Sequence, residues 1–312
     1  MPASESAGPS SRVRPFLKWA GGKRQLLATL RRFVPPEFGA YHEPFLGSGA
    51  LFFDLSGRGI IAGRRCRLTD INVDLVGCYR AIAHDVDAVI RALELLAAAH
   101  RAGAAEAYYH VRDRQFNPRR RDLASGIARS QYPADLAAMF VYLNRTGYNG
   151  LFRVNGRGEF NVPAGRYANP RVCDADVLRA VAGALTRPSI EIAHDSFTSV
   201  LETASRGDFV YLDPPYAPLS PTARFTSYTA SSFSDDDQRR LQELVLRLAR
   251  TGSFVTLSNS TAPLVTRLYV NRDARAAGLR AHRVPARRAI NSKGDERGQV
   301  EEYVISNVTP QD

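Results

Sequence analysis

The sequence predicts an α/β fold in which one parallel sheet is assembled from both ends of the chain. Three observations predict it. Residues 41–69 show a strand, a glycine turn, a helix start and a second strand, and after Pro188 apolar strands that end in polar clusters are followed by a capped helix and a further strand. Between them, residues 76–187 change to a mainly helical pattern with one hairpin. We therefore expect a sheet domain from residues 15–75 and 188–312, an inserted module at 76–187 and a disordered tail at 1–14.

The first predicted strand, residues 41–45, runs into the segment EPFLGSG at residues 43–49, and a helix follows. Glycines at such a turn let the backbone approach a ligand and aim helix N–H groups at it. Asp70 ends the next strand, residues 66–69, where an acid can hold the hydroxyls of a ribose, although it can equally cap the following helix. The full GxGxxG of dinucleotide enzymes is missing, since ALF follows the last glycine. The pattern indicates another adenosine-containing ligand.

The inserted module begins with helical patterns and then alternates. The apolar residues at helical spacing are Leu93, Leu96, Ala97, Leu136, Phe140 and Leu143. Residues 151–162 alternate around an Asn-Gly pair at 155–156, which suits a tight hairpin turn. The alternation places Leu151 and Arg153 on the face opposite Phe152. We expect Arg153 to point outward from a rigid ribbon, and a plain solvated arginine is the alternative.

Two apolar strands, residues 189–193 and 208–212, return the chain to the sheet, and DPPY at residues 213–216 ends the second. Consecutive prolines fix φ and lack N–H groups, so they form a rigid turn with carbonyl oxygens free to accept hydrogen bonds. If Asp213 and the Pro214 carbonyl each accept one N–H of an aromatic amine, they orient its nitrogen toward a sulfonium methyl group. Tyr216 can stack on an extruded base. A proline-stiffened surface turn is the alternative.

The remaining elements complete the sheet. Residues 216–232 show no periodicity, which suggests a functional loop, with a solvated linker as the alternative. Ser234 and Asp237 form a capping-box pattern that opens a helix to about Arg250, Gly252 ends it, and residues 254–258 form the next strand. We therefore expect the sheet to resume after the inserted module.

Composition indicates a globular protein with a polyanionic partner. Of 312 residues, 44% are hydrophobic, enough for one large core or two smaller ones. The net charge of +11 favours nucleic acid, because basic side chains displace counterions from phosphate; an arginine-rich composition of a GC-rich genome is the alternative.

The spacing of the cysteines and the hydropathy of the chain indicate where in the cell the protein is expected. Cys66, Cys78 and Cys173 show no CxxC spacing, so we expect neither a disulfide framework nor a metal. No apolar run is long enough to span a bilayer, and residues 1–14 lack the apolar centre of a signal peptide. We expect a cytoplasmic protein without a membrane partner.

Taken together, these segments resemble the Dam-type adenine-N6 DNA methyltransferases, the alpha group of the D12 class. The similarity runs from FLKWAGGK at residues 16–23 through EPFLGSG, TDIN, LNRTGYNGLFRVN, GEFNVPAGRY and YLDPPY to RRAINSKG at residues 287–294. The resemblance implies a Rossmann-like sheet that binds S-adenosylmethionine and an inserted target-recognition module that binds double-stranded DNA. It implies a monomer that transfers a methyl group to N6 of an adenine flipped out of the duplex, within GATC.

The resemblance and the turns described above also predict the site residues. The catalytic residues at the target adenine are Asp213, Pro214, Pro215 and Tyr216. The expected S-adenosylmethionine pocket comprises Trp19, Lys23, Glu43, Phe45, Gly47, Gly49, Asp70, Asp195 and Asp213. The expected DNA contacts are base readout by Lys18 and Arg153 and apolar base contacts from Leu151 and Pro163. Tyr148 and Asn149 are expected to fill or hold the space around the flipped nucleotide, although Tyr148 can equally be a core aromatic. Phosphate contacts are expected from Arg287, Arg288 and Lys293.

Two other functions remain open at this stage. A DPPY-like turn also serves enzymes that methylate cytosine N4, rRNA guanine or protein amides, although the hairpin module and FLKWAGGK argue against them. A catalytically inactive DNA-binding regulator is the second, and the intact DPPY set argues against it. Whether the protein is an orphan enzyme, a phage protein or part of a restriction-modification system is not indicated.

Overall fold

The computed structural model describes residues 13–19, 21–124, 132–219, 233–287 and 299–311. Within them lies a seven-stranded sheet in the order β3-β2-β1-β4-β5-β7-β6. The strands are β1 (Tyr41–Glu43), β2 (Cys66–Asp70), β3 (Ile190–His194), β4 (Phe209–Leu212), β5 (Phe254–Ser260), β6 (Arg280–Arg287) and β7 (Gln299–Ser306). The α-helices are α1 (Leu27–Arg31), α2 (Ala50–Gly57), α3 (Val73–His84), α4 (Val86–Ala102), α5 (Ala104–His110), α6 (Asn117–Ala124), α7 (Ala134–Thr146), α8 (Ala175–Leu185), α9 (Val200–Thr203), α10 (Asp235–Arg250), α11 (Pro263–Tyr269) and α12 (Arg272–Ala276).

The sheet has a parallel part and an antiparallel edge. Strands β3, β2, β1, β4 and β5 are parallel, and β7 runs antiparallel between β5 and β6. Tyr41 on β1 pairs with Cys66 on β2 and with Phe209 on β4, so the strand order reverses at β1. Ligands bind beyond the carboxyl ends of strands at such a reversal. The predicted Rossmann-like α/β class is confirmed, and the five strands predicted from the sequence are β1 to β5.

Two hydrophobic clusters cover the two faces of the sheet. The first contains Phe52 and Leu68 from the sheet domain together with Phe140 and Phe160 from the inserted module. The second lies under α10 and α11. The inserted module therefore shares one apolar core with the first part of the sheet, which limits independent movement of the two. The predicted boundary between residues 75 and 76 falls inside α3, which crosses it without a break.

The capping of α10 follows the sequence prediction. Ser234 Oγ accepts a hydrogen bond from the Asp237 N–H at 3.1 Å, and Asp237 Oδ2 accepts one from the Ser234 N–H at 2.9 Å. Such a cap stabilises a helix by about 0.5–2 kcal/mol. Gly252, with φ of 91°, follows the helix as predicted.

Asn72, and not Asp70, caps α3. The Asn72 side chain accepts hydrogen bonds from the N–H groups of Asp74 and Leu75, both at 3.1 Å. Asp70 precedes the cap and accepts a hydrogen bond from the Asn72 N–H at 2.9 Å. The alternative of Asp70 as the helix cap is therefore wrong, because the chain continues for two residues before helical geometry begins.

The hairpin turn differs from the prediction. The Asn155 N–H donates to the Glu159 carbonyl, and the Gly158 N–H donates to the Asn155 carbonyl, both at 2.9 Å. The loop therefore has three residues, and positive φ falls on Gly158 at 76° rather than on the predicted pair at 155–156. The Asn155 side chain accepts the Arg157 and Glu159 N–H groups, which favours this wider turn once a second glycine is available.

Some predictions concern residues outside the described ranges. They include most of the predicted tail, the loop beyond Leu219, and the side chains of Arg287, Arg288 and Lys293. At the end of the predicted tail, Arg14 is described and pairs with Asp174 at 3.2 Å. No helix in the described part of the chain is long and apolar enough to cross a membrane.

Candidate active site and DNA-facing surface

The DPPY turn, residues 213–216, follows β4 at the centre of the sheet. Asp213 Oδ1 lies 2.8 Å from Lys23 Nζ. Lys23 begins a short 3₁₀ helix and is only 5% exposed, and its Nζ also donates to the Gly21 carbonyl at 2.6 Å. FLKWAGGK, a segment predicted to bind the cofactor, therefore places the buried ammonium group of Lys23 against the carboxylate of Asp213, which is predicted to be catalytic.

Three carboxyl groups lie at the carboxyl ends of the central strands. Burial raises the pKa of Asp213, and the positive charge of Lys23 opposes this shift. Burial also raises the pKa of Asp70, against hydrogen bonds from the backbone N–H groups of Gly47 and Asn72. Burial raises the pKa of Glu43 to about 8, so this side chain is mainly protonated at neutral pH. The ends of the strands therefore hold fewer negative charges than the sequence suggests.

Glu43 is held inside the protein by its neighbours. It is 2% exposed, and the Tyr41 hydroxyl donates a hydrogen bond to its Oε2 at 2.8 Å. The hydrogen bond from Tyr41 and one from the Phe52 N–H lower its pKa, whereas burial and the charges of Asp213 and Asp70 raise it. Glu43 is therefore a buried group at the end of β1 that is hydrogen-bonded to Tyr41 and to the backbone of α2.

The glycine turn after β1 brings Trp19 and Asp70 to the same place. Gly47 has φ of 49°, and its N–H donates to Asp70 Oδ2 at 3.0 Å. A Cβ at Gly47 would lie 3.1 Å from Trp19 Cδ1, so glycine is needed both for the positive φ and for the close approach of the indole. Gly49, with φ of 63°, is the N-cap of α2. The structure thus brings together four of the residues predicted for the cofactor pocket.

Aromatic rings line the same edge of the sheet. Phe45 stacks on Phe197 with ring centroids 5.3 Å apart, and both contact Phe233. Asp195 lies two residues before Phe197, and its Oδ2 pairs with Arg67 at 3.1 Å. A hydrogen bond with Ser199 lowers the pKa of Asp195, with smaller contributions from Arg67. This ionised carboxylate beside an aromatic wall suits a flat heterocycle with polar edges.

The ring of Tyr216 is fixed by two contacts. Its hydroxyl donates to Glu302 Oε2 at 2.7 Å, and Lys23 Nζ lies 4.5 Å from the centre of the ring. Burial raises the pKa of Tyr216, and the charges of Asp213 and Glu302 raise it further, so the hydroxyl keeps its proton. Glu302, on β7, thus orients a predicted catalytic residue and was not predicted from the sequence.

Lys18 and the turn at residues 148–150 are joined by Asn144. The Asn144 side chain donates to the carbonyls of Lys18 at 2.6 Å and Gly150 at 2.9 Å, and its Oδ1 accepts the Lys18 N–H at 2.8 Å. A Cβ at Gly150, which has φ of 64°, would lie 2.4 Å from Lys18 Cβ. Asn149 is the one non-glycine residue with positive φ, 53°, in the described part of the chain. These contacts hold Lys18 against the turn that contains Asn149.

Two more residues predicted to contact DNA, Tyr148 and Pro163, meet at this turn. Tyr148 is 49% exposed, and its N–H donates to the Pro163 carbonyl at 2.9 Å. Lys18 Nζ lies 3.9 Å from the centre of the Tyr167 ring and donates to the Arg145 carbonyl at 3.3 Å. Burial lowers the pKa of Lys18, and Arg145 lowers it further. The exposed ring of Tyr148 and the Lys18 side chain, held over Tyr167, thus both belong to this part of the inserted module's surroundings.

Arg153 is half-buried and bound to its own hairpin. Its Nε donates to Asn161 Oδ1 at 2.8 Å, so the predicted outward direction is restrained by the opposite arm. Phe152 turns inward as predicted and stacks on Trp19, with ring centroids 6.2 Å apart. Leu151 also packs against the first hydrophobic cluster. Phe152 therefore connects Arg153, the residue predicted to read a base, to Trp19, which is predicted to line the cofactor pocket.

The hairpin is anchored to the helices of the inserted module. Asn117 makes two hydrogen bonds with the backbone of Phe160, at 2.8 and 3.0 Å, and the Tyr108 hydroxyl donates to the Val162 carbonyl at 2.9 Å. Asn117 and Tyr108 are both buried. The hairpin is therefore held in one position against the helices of the inserted module.

Sequence reasoning missed several residues that shape the site. They are Asn144, Asn161, Phe197, Phe233 and Glu302. Asn144 and Asn161 lie within LNRTGYNGLFRVN and GEFNVPAGRY, so those segments contained a signal for them. The other three lie in stretches with no motif. Among the described residues, no group of three or more His, Cys, Asp or Glu side chains could hold a metal ion.

Comparisons with known proteins identify one family of DNA methyltransferases. Residues 19–290 match the family model of the D12 class N6 adenine-specific DNA methyltransferases. The chain is 38% identical to the type II methyltransferase M1.LlaDCHI of Lactococcus lactis subsp. cremoris, over 95% of each chain. It is 39% identical to the type II methyltransferase M.MjaIII of Methanocaldococcus jannaschii, over 95% of this chain and 99% of the relative. It is 36% identical to the DNA adenine methylase of Escherichia coli strain K12, over 93% and 94% of the two chains.

Proposed function

Because the chain belongs to the D12 class of N6 adenine-specific DNA methyltransferases, we propose that it methylates N6 of the adenine in GATC, within duplex DNA. The observation that carries this proposal is the contact of 2.8 Å between Lys23 and Asp213, at the head of the DPPY turn. It places a charge-balanced carboxylate beside an aromatic ring at the strand ends where ligands bind.

The residues present fit S-adenosylmethionine. Gly47 forms a cradle that a Cβ would fill, since that atom would lie 3.1 Å from Trp19. Asp70 would hold the ribose, whereas Phe45 and Asp195 would hold the adenine ring. When bound, S-adenosylmethionine supplies an electrophilic methyl group on a positively charged sulfur. The Asp213 and Asp70 side chains lie at this edge of the sheet, where they are the acidic groups nearest to such a cation.

The DPPY turn orients the target amine. Asp213 accepts one N–H of the exocyclic amine, and the Pro214 carbonyl accepts the other, which directs the nitrogen lone pair away from the base. The Pro215 carbonyl has another role, since it accepts a hydrogen bond from Gln238 at 3.0 Å. The positive charge of Lys23 opposes the rise in the pKa of Asp213 that burial causes, and so favours the ionised form that accepts a hydrogen bond. Positioning and proton acceptance of this kind contribute about 10²- to 10⁴-fold to a rate.

The inserted module, residues 76–187, reads the DNA in this proposal. Tyr148, exposed beside Asn149, fills the space of the extruded nucleotide, and Tyr216 stacks on the adenine. Asn161 accepts hydrogen bonds from the Nε of Arg153 at 2.8 Å and from its Nη2 at 3.4 Å, and the remaining N–H donors of the guanidinium suit the O6 and N7 atoms of guanine. Lys18 contacts a second base, and Leu151 and Pro163 contact bases through apolar atoms. GATC rests on this set of residues and on the resemblance of its motifs.

Modified-base sequencing tests the site proposal directly. The gene is expressed in a host that lacks DNA methylation, and genomic DNA is sequenced with detection of modified bases. We expect N6-methyladenine in GATC and unmodified adenine elsewhere. N6-methyladenine in another motif would refute GATC while leaving the chemistry intact, and N4-methylcytosine would refute the target atom.

A further inference from the structure

Two buried amides, Gln238 and Asn259, lie behind the DPPY turn. They are 1% and 0% exposed. Gln238 Nε2 donates to the Pro215 carbonyl at 3.0 Å, and Asn259 Nδ2 donates to Gln238 Oε1 at 3.0 Å. Gln238 lies in the first turn of α10, and Asn259 lies near the end of β5. The helix cap at Ser234 thus sets the position of an amide that reaches the turn.

The same pair holds the chain after Tyr216. Asn259 Oδ1 accepts hydrogen bonds from the N–H groups of Ala217 at 3.2 Å and Ser260 at 2.8 Å. Ser260 Oγ in turn donates to the Ala217 carbonyl at 2.6 Å. The backbone is therefore bound on both sides of Tyr216 by groups that are themselves buried and hydrogen-bonded. Such fully satisfied networks specify one geometry, because any rearrangement leaves a buried polar group without a partner.

The composition of the turn explains why an external clamp is needed. Pro214 and Pro215 have no N–H groups, so the turn cannot be closed by hydrogen bonds from its own backbone at these positions. The Pro215 carbonyl must find a donor elsewhere, and Gln238 supplies it. The hydrogen bond to the Pro215 carbonyl restrains the neighbouring peptide planes. The directions of the Pro214 carbonyl and of the Tyr216 ring are therefore restrained as well.

We propose that Gln238 and Asn259 form an amide clamp that positions the DPPY turn for methyl transfer. They are positioning residues, since they act through the turn and reach neither the target amine nor the cofactor. This inference rests on the proposed function, because it concerns the geometry of the same turn. Displacement of a reacting group by about 1 Å can cost about 10²-fold in rate, so loss of the clamp affects the chemical step.

The variant Gln238→Glu tests the clamp, because it makes the clamp depend on pH. When the introduced carboxyl is protonated, it can donate to the Pro215 carbonyl and still accept from Asn259. When it is ionised, it can only accept, and its charge faces the carbonyl oxygen. The single-turnover methylation rate, divided by the wild-type rate at the same pH, should fall about tenfold or more as the pH rises from 6 to 9. The KM for S-adenosylmethionine should stay within about threefold of the wild-type value.

Gln242→Glu is the matched control. Gln242 lies one turn further along α10, and its amide donates to the Leu268 carbonyl at 3.4 Å, away from the DPPY turn. Its rate relative to the wild type should not change with pH. Gln238→Met provides a second variant of similar length that cannot donate, and its rate should be reduced at every pH. Thermal unfolding midpoints show whether each variant is folded.

The outcomes separate the inference from the proposed function. Wild-type turnover is measured first, and its absence would refute the function itself. With an active wild type, three results would overturn the clamp: a flat rate ratio for Gln238→Glu, an equal pH-dependent decline for Gln242→Glu, or a wild-type rate for Gln238→Met. If Gln238→Glu does not fold, the rate of Gln238→Met decides.

Discussion

Lys23 Nζ and Asp213 Oδ1 lie 2.8 Å apart and join the start of the described chain to the turn after β4. The pair is shielded, since the Lys23 side chain is 6% exposed and the Asp213 side chain 21%. Shielding strengthens the interaction of the two charges and makes the loss of either one costly. Burial raises the pKa of Asp213, and Lys23, a residue distant in sequence, opposes that rise.

Replacement of Lys23 should move the pH dependence of methylation. Burial already raises the pKa of Asp213, and Lys23 opposes that shift, so Lys23→Met should raise the pKa further. The ionised form of Asp213 accepts the hydrogen bond, so the methylation rate of the variant should rise at a higher pH than the wild-type rate does. At neutral pH the methylation rate should be lower by about tenfold or more. Single-turnover rates at saturating S-adenosylmethionine provide the measurement. Lys23→Arg keeps the charge and should shift the pH dependence much less, and identical profiles for the two variants would contradict this role.

Glu43 should make the protein less stable as pH rises. Its folded-state pKa is about 8, against 4.5 for the free group. Between these values the unfolded state loses its proton while the folded state keeps it. The contribution is therefore fully present below about pH 4.5 and lost as the pH rises toward 8, at about 1.4 kcal/mol per pH unit.

Glu43→Gln removes this titration and keeps an acceptor for Tyr41. The free energy of unfolding from urea titrations, measured from pH 5 to 9, should show the variant gaining on the wild type as pH rises. Parallel curves for the two proteins would mean that Glu43 is ionised in the folded state.

Arg153 should determine base preference, whereas its neighbour Arg157 should not. Arg153→Ala should cost about 1–3 kcal/mol of discrimination at one base pair and leave residual methylation at altered sites. Arg157→Ala removes the same charge from the exposed tip of the same hairpin, so it should weaken DNA binding similarly for all sequences. Methylation rates on duplexes with each single substitution in GATC distinguish the two. An unchanged preference in Arg153→Ala would refute its role in base readout.

Gly150 should not tolerate a side chain. A Cβ there would lie 2.4 Å from Lys18 Cβ, and φ is 64°, so Gly150→Ala should destabilise the protein by about 1–3 kcal/mol and displace Lys18. Gly183, inside α8, meets no atom within 4 Å of an added Cβ. Gly183→Ala should therefore be neutral or stabilising by up to about 1 kcal/mol. Chemical denaturation of both variants checks this, and equal effects would contradict the close approach at Lys18.

The parts of the fold that could be predicted are those with local signals. Strand β4 is a continuous apolar run, β1 leads into the glycine turn at residues 47–49, and the cap at Ser234 and Asp237 is a spacing of three residues. The predicted position of the hairpin turn was wrong because either Gly156 or Gly158 can adopt the left-handed conformation. The hydrogen bonds of Asn155 favour Gly158.

The missing parts of the site come from contacts between distant segments. Glu302 orients Tyr216 across the sheet, and Phe197 meets Phe45 only because β3 and β1 lie near each other in the folded chain. Gln238 meets Pro215 because α10 packs behind the turn. None of these pairs has a fixed spacing in sequence, so periodicity and short motifs cannot reveal them.

The most direct measurement of the central claim is the fate of a labelled methyl group. Purified protein is incubated with tritiated S-adenosylmethionine and an unmethylated GATC duplex, and the DNA is digested to nucleosides. The label should appear in N6-methyl-2′-deoxyadenosine for the wild type and fall by about 10²- to 10⁴-fold for Asp213→Asn, with DNA binding retained. Label in another nucleoside, no label with the wild type, or full activity of Asp213→Asn would contradict the account.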